Sequence, residues 1–320
     1  MVSKVMVFGP IPSRRLGRSL GINNIPPKTC SYSCVYCQIG LTDLMTVTRK
    51  HFIKPDEIYN QTAARISELK NAGERIDYLT FVPDGEPTLD VNLGKTIKML
   101  KVFGIKIAVI TNASLIWDGN VRDDLMKADW VSLKIDSVDE KVWRKIDRPH
   151  GTLKLDKILG GALAFSKEFK GTMVTETMLV KGVNDSTDIL KQTANFIAML
   201  NPSVAYILVA TRPPAEAWVR RPDEEQLNAA YQIFSEKLSD VEILTHSEGT
   251  DFTYTSDAER ELLSILSVHP MSIEAVKEFL DKSKTAWKLI DKLIAENVIR
   301  QVEYSGKYYF MKNLLKGGTS

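Results

Sequence analysis

The sequence predicts an α/β fold: a parallel sheet with intervening helices, followed by a smaller unit of helices and a hairpin. Two observations carry this. Apolar runs of strand length alternate with amphipathic segments of helix length between residues 55 and 244. Strands spaced in that way imply right-handed crossovers and parallel pairing. Beyond residue 256 the alternation stops, and three helical segments lead into two strands around Ser305-Gly306. The expected division is 1–256 for the sheet domain, 257–316 for a winged helix-turn-helix, and 317–320 for a disordered tail, Gly317-Gly318-Thr319-Ser320.

The elements follow in order. Residues 55–71 read as a helix, with Ile58, Ala64, Ile66 and Leu69 on its apolar side. Tyr78-Leu79-Thr80-Phe81-Val82 reads as a buried strand, 93–103 as a helix and 106–110 as a strand. A short helix at 121–126 precedes a strand at 130–135. Helices at 138–146 and 153–169 lead to a strand at 172–179. Then come helix 187–200, strand 204–209, helix 224–238 and a last strand at 241–244. Periodicity alone fits a partial barrel and a flat, doubly wound sheet equally well. In the smaller unit the helices are 257–266, then 273–280 capped by Ser272, then a third capped by Ser283 and running to 296. Strands 299–304 and 307–310 close the hairpin.

Composition narrows the function classes. The 320 residues carry a net charge of +2, so the chain is not a polycation, and any nucleic-acid contact needs a local patch. No apolar run approaches the ~20 residues needed to cross a bilayer. The opening apolar stretch is broken by Gly9-Pro10 and lacks the longer core of a signal peptide. The expectation is a cytoplasmic protein in a reducing compartment that keeps thiols free.

All three cysteines fall within Cys30-Ser31-Tyr32-Ser33-Cys34-Val35-Tyr36-Cys37. A disulfide would leave a thiol over, and such close neighbours bridge poorly. Three thiolates on one loop suit a cubane iron–sulfur cluster with one iron left open for a ligand. A structural zinc site is the other reading. It needs a fourth ligand, for which His51 is the nearest candidate.

This spacing, with Tyr36 just before the last cysteine, resembles that of the radical S-adenosylmethionine superfamily. The resemblance implies a partial (β/α)6 barrel. It also implies a [4Fe-4S] cluster on Cys30, Cys34 and Cys37, with S-adenosyl-L-methionine chelated to the open iron. Reductive cleavage would give a 5′-deoxyadenosyl radical that takes hydrogen from a substrate, with an electron donor such as flavodoxin or ferredoxin. Tyr36 would pack near the adenine. Asp84-Gly85-Glu86-Pro87, after the second strand when one expected near the cysteine loop is counted first, is similar to the family's Gly-Gly-Glu-Pro motif, with Asp84 in place of the first glycine. There, backbone and acid receive the methionyl ammonium. Thr111 and Asn112 end the next strand, and Ser132, Lys134 and Asp136 recur every second residue on the one after. In the family such strand ends meet ribose and carboxylate. Thr175 and Thr177 would extend that surface.

A narrower resemblance joins residues 9–21, Lys145-Ile146-Asp147-Arg148-Pro149 and Leu179-Val180-Lys181-Gly182-Val183-Asn184-Asp185 to the branch containing the tRNA wyosine-base synthases. Those enzymes carry a second cluster on further cysteines, and this chain has no further cysteine. Neither wyosine chemistry nor pyruvate is carried over.

Arg14, Arg15, Arg18, Arg148 and Arg212 are expected to converge on the sheet's active end, where guanidinium forks would suit phosphate or carboxylate. Lys284, Lys288 and Lys292 recur every four residues, as one basic stripe on the third helix of the winged unit. Nearby acids nearly cancel its charge. The first substrate expectation is an RNA base or nucleotide. The alternative is a small phosphorylated or carboxylated metabolite or a protein residue. From a different class, the chain would be an iron–sulfur or zinc-bearing winged-helix regulator.

Overall fold

The computed structural model describes residues 6–245, 252 and 257–313. β1 (Val7–Ser13) and β2 (Gly17–Ile22) form an antiparallel hairpin. β3 (Thr29–Cys30) and β4 (Leu44–Met45) pair briefly around the cysteine loop. Strict alternation follows: α1 (Pro55–Asn71), β5 (Tyr78–Phe81), α2 (Leu93–Leu100), β6 (Lys106–Thr111), α3 (Gly119–Leu125), β7 (Trp130–Lys134) and α4 (Glu140–Asp147). After α5 (Leu155–Glu168) come β8 (Thr172–Leu179), α6 (Thr187–Leu200), β9 (Ala205–Val209), α7 (Glu224–Ser235) and β10 (Val241–Leu244).

Among the described residues the main sheet has eight strands in the order β1-β2-β5-β6-β7-β8-β9-β10. Every pairing is parallel except that of β1 with β2, so the sheet is mixed. The sequence leads to the expectation of one strand near the cysteine loop but of no hairpin, because Gly9, Pro10, Pro12 and Gly17 interrupt the apolar run. α1 starts where expected: Pro55 sits at the first turn, with Asp56 and Glu57 beside the positive end of the dipole.

Alternation along the strands separates two faces. Leu79, Phe81, Ile107, Val109, Val131, Leu133 and Ile207 join residues of α1 to α7 in one buried core. Ala108, Trp130, Val174 and Tyr206 form a separate cluster with Leu16 to which none of those helices contributes. A doubly wound sheet would be covered by helices on both faces. Here the crossover helices share one face, and the other is left for a site.

The smaller unit contains α8 (Ala258–Val268), β11 (Met271–Ser272), α9 (Ile273–Lys282), α10 (Lys288–Ala295), β12 (Ile299–Tyr304) and β13 (Lys307–Lys312). Its strands order as β11-β13-β12. Ser272 caps α9 by accepting from the Ala275 amide at 3.2 Å. The third helix departs from expectation. Ser283 donates its hydroxyl to the Leu280 carbonyl instead of capping, and Lys284 turns left-handed at φ 50°. The helix therefore begins at Lys288, and Lys284 lies off it. Lys292 is held by Glu259 at 2.9 Å. The expected stripe of three lysines does not exist as one helical face.

Leu262, Phe279, Leu293 and Phe310 bury themselves with Phe8 and Ile11 of β1. Tyr304 and Tyr309 donate their hydroxyls to the carbonyls of Ala210 and Thr211, just beyond β9, at 3.1 and 3.0 Å. The smaller unit thus touches the main sheet at β1 and again past β9. The expected boundary at residue 256 and the tail at 317–320 lie outside the described residues. No helix among the described residues is long and apolar enough to cross a membrane.

Candidate active site

The cysteine loop is clamped by backbone bonds from several elements. Thr46 donates to the Cys30 carbonyl at 3.0 Å, and Cys37 to that of Cys34 at 3.1 Å. From beside the loop, the end of α4 receives Ser33 and Val35 on the carbonyls of Asp147 and Ile146 at 3.1 and 2.9 Å. The segment 145–149, noted in the sequence for its resemblance and for Arg148, is thus a brace for the thiols. Asn184 ties the next two loops together. It donates to the carbonyls of Asp136 and Met178 at 2.9 and 2.8 Å.

The loop after β5 presses on the same segment. Glu86 donates its amide to the Thr29 carbonyl at 3.1 Å. A Cβ on Gly85 would stand 1.9 Å from that carbonyl oxygen, so only glycine fits. The Glu86 carboxylate is fully engaged. Oε1 accepts from the Thr88 amide (3.0 Å), the Thr88 hydroxyl (2.6 Å) and the Thr111 hydroxyl (2.6 Å). Oε2 accepts from the Asn112 amide at 2.8 Å. Burial raises its pKa above the ordinary range, against these bonds. Pro87 opens the short turn that follows. Asp84 differs: its Oδ1 is buried without a partner, and burial, partly offset by Lys312, pushes its pKa up to about 7.

Cys30, Cys34 and Cys37 line one cavity of about 200 Å³ together with Asp84, Glu86 and Lys134. Burial and then the Glu86 charge push the Cys30 thiol up to about 12. Burial and then Asp147 raise Cys34. Thiolates there are stable only against a positive group, which iron supplies. Among the described residues no three His, Cys, Asp or Glu side chains are disposed around a single ion. His51 is not at the loop; its Nδ1 meets Asn92 Oδ1 at 3.1 Å. The donor set of three thiols around a roomy cavity fits a cluster with its own bulk.

Tyr36 is fixed at its hydroxyl, which donates to Asp136 and, at 3.2 Å, to Asp147 Oδ1. Lys134 lies 5.2 Å over its ring. Asn112 reaches the Cys30 sulfur at 3.5 Å and the Ser31 hydroxyl at 3.0 Å. Ser132 and Lys134 share the helix-free face as expected, and both turn to Glu176, at 2.8 and 3.5 Å. Arg15 pairs with the same carboxylate. Burial would raise the Glu176 pKa, but Arg15 and Lys134 together hold it below the usual range.

Strand register moves two expectations. Glu176, not Thr175 or Thr177, occupies the face with Ser132, because Met173 and Leu179 place the odd-numbered residues against the helices. The Thr177 hydroxyl donates to the Ile135 carbonyl at 2.8 Å. Of the five arginines, three converge and two do not. Arg14, Arg15 and Arg212 line a second cavity of about 320 Å³, with Lys134 and Glu176. Arg18 shares the helix face with Leu20 and Ile22 and pairs with Glu74 at 2.7 Å. Arg148 pairs with Glu216.

Three residues escaped the sequence reading. Glu176 was within reach by counting alternation from Val174. Gln38 follows Cys37 and accepts from Arg212 Nη1 at 2.8 Å. It and Ile110 are walls of the cysteine cavity, of the second cavity and of a third of about 130 Å³. His269 comes from the smaller unit to line that third cavity, a placement no local pattern encodes.

A mixed α/β sheet with three thiols, an acidic loop and a braced tyrosine at one end defines a radical enzyme's architecture. The chain belongs to the Radical SAM superfamily, which matches residues 24–194. Members use a [4Fe-4S] cluster and S-adenosylmethionine. The chain is 47% identical over 311 residues to a UPF0026 protein of Methanocaldococcus jannaschii, covering 97% of this chain and 96% of that one. It is 23% identical over 179 residues to an S-adenosylmethionine-dependent nucleotide dehydratase of Lacinutrix mariniflava, 54% of this chain and 34% of that protein. A structure of TYW1 with a lysine-pyruvate adduct bound aligns at TM-score 0.53 and 17% identity. That match covers 69% of this chain and 74% of the other, and shows a shared fold.

Proposed function

We propose that the protein is a radical S-adenosylmethionine enzyme acting on a nucleotide-type substrate, with Cys30, Cys34 and Cys37 holding the cluster. When bound, the cluster and S-adenosylmethionine supply a 5′-deoxyadenosyl radical that takes a hydrogen atom from the substrate. The sheet is then a partial (β/α)6 barrel whose helix-free face is its interior, and residues 257–313 are a winged-helix unit packed against its open side.

The observation that carries this reading is the sharing of walls. The cysteine cavity meets two further cavities at Gln38 and Ile110, and their charged lining is Arg14, Arg15, Lys134 and Arg212 against the single carboxylate of Glu176. An anionic substrate bound there lies next to the cosubstrate pocket. Within that pocket the residues divide their roles. Asp84, with an unpartnered buried oxygen, receives the methionyl ammonium. Glu86 uses its carboxylate to lock the loops after β5 and β6. Asp136 and Asp147 fix the Tyr36 hydroxyl, so that its ring stays beside the cysteines. A low-potential protein reductant of the flavodoxin or ferredoxin kind supplies the electron. The nucleotide-dehydratase relative supports the substrate class.

The test is isotopic. Reduced, cluster-loaded protein is given S-adenosylmethionine and nucleoside 5′-mono- and triphosphates carrying deuterium on carbon. Deuterium in 5′-deoxyadenosine, read by mass spectrometry, is the expected result. Cleavage with no transfer from any nucleotide, but transfer from a peptide or a simple organic acid, would overturn the substrate class.

A further inference from the structure

The smaller unit contributes a side chain to the interior of the larger one. α8 ends at His269 because Pro270 cannot continue a helix, and His269 adopts the extended backbone usual before proline, at φ −142° and ψ 98°. That turn sends the imidazole into the third cavity, where it faces Arg15, Arg212 and Gln38, with Ser19 and Thr80 on the wall. The residue is 7% exposed, and Phe252 packs edge-on against its ring at 5.4 Å. Among the described residues the ring makes no hydrogen bond. The ring opens onto that cavity, so it offers its donor and its acceptor to whatever fills it. Burial, and then the Arg212 charge, hold it neutral, well below its usual pKa. A neutral ring N–H beside the Arg212 guanidinium is a receptor for a negatively charged oxygen.

We propose that His269 and Arg212 bind the anionic end of the substrate, a phosphate or carboxylate, so that the C-terminal unit is a wall of the substrate chamber. This rests on the reading of the interior as that chamber. It also gives the tyrosine contacts a purpose. Tyr304 and Tyr309 fasten the unit to Ala210 and Thr211, immediately before Arg212, and so fix both halves of the receptor together. Arg212 is held in register by Gln38, which adjoins the last cysteine.

The test is a calorimetric titration of cluster-loaded protein, without oxygen, using inorganic phosphate, a nucleoside 5′-monophosphate and acetate as separate probes. Wild type is expected to bind at least one; tighter phosphate or nucleotide assigns a phosphoryl group, and tighter acetate assigns a carboxylate. His269→Ala should weaken the preferred probe about tenfold, the scale of one buried hydrogen bond to a charged group. His269→Gln, which keeps an N–H donor, should lose about threefold or less by the same reasoning. If the alanine variant does not fold, as judged by its melting curve, the glutamine variant and Arg212→Leu carry the test, with Arg212→Leu expected to lose more. Equal binding by wild type and folded variants, or binding of no probe by wild type, overturns the proposal. S-adenosylmethionine cleavage by the same wild-type preparation separates the two ideas. Cleavage with probe binding indifferent to His269 sinks this proposal alone. Probe binding that depends on His269 in a protein that cleaves nothing sinks the radical reading alone.

Discussion

The cysteine end of the sheet and the C-terminal unit are held by different physics. Around the cysteines the restraints are polar and short. Glu86 accepts from Thr88, Thr111 and Asn112, Asn184 staples two loops, and the end of α4 bonds the loop backbone. The C-terminal unit is held mainly by a shared apolar core with Phe8 and Ile11, plus two tyrosine bonds and an ion pair between Arg65 of α1 and Glu261 of α8 at 3.2 Å. Directional bonds fix positions to a fraction of an ångström, as a cosubstrate site needs. Apolar burial gives more stability but less orientation. The lesson is that this molecule separates positioning from cohesion, and substitutions should separate them too.

The largest effect is expected at the thiols. Cys30→Ala, Cys34→Ala or Cys37→Ala should abolish cluster binding, read as the loss of about four irons and of the brown colour. The melting profile of the C-terminal unit should be little changed. A variant that keeps its full iron content would break the comparison.

At the other region the effect should fall on stability. Phe310 is 1% exposed and packs against Trp287. Phe310→Ala should cost about 3–5 kcal/mol in denaturant unfolding. A loss under about 1 kcal/mol would mean that the unit is not held by its core.

Glu86→Ala should lower S-adenosylmethionine affinity by roughly 1.5–3 kcal/mol, because the groups it bonds lose a charged acceptor and the loop loosens. Calorimetry on iron-loaded protein reads it, and wild-type affinity would remove Glu86 from the positioning network.

Asp84 gives a pH signature. Its folded pKa is raised by burial to about 7, so it is protonated below and ionised above that pH. An acid with a raised folded pKa penalises the folded state as pH climbs from the ordinary carboxylate range through about 7. Its affinity for a cation changes the opposite way. S-adenosylmethionine binding should strengthen as pH rises through about 7, and Asp84→Asn should flatten that rise. A slope unchanged in the variant would assign the titration elsewhere.

Tyr304→Phe should have the smallest effect, about 0.5–1.5 kcal/mol of stability for one hydrogen bond. A larger loss would show that the contact with Ala210 organises more than itself.

Legibility followed the same division. The cysteine loop and Asp84-Gly85-Glu86-Pro87 were readable because their chemistry is local. Helix and strand order was readable because Ile66, Leu79 and Ile107 repeat with clear periods. Glu176 was misassigned in favour of Thr177 because face depends on register, and a shift of one residue exchanges the faces. Arg18 and Arg148 looked like substrate ligands in sequence, but Glu74 and Glu216 claim them in space. His269 and the hairpin β1–β2 were unreadable because their roles depend on contacts between distant segments.

The most direct test of the central claim is the reductive cleavage of S-adenosylmethionine. Iron-loaded protein is reduced with dithionite, and 5′-deoxyadenosine is measured by chromatography with and without nucleotide. The account predicts 5′-deoxyadenosine from wild type, more with a nucleotide present, and none from Cys34→Ala. Wild type that carries its full iron and yet releases no 5′-deoxyadenosine would contradict it.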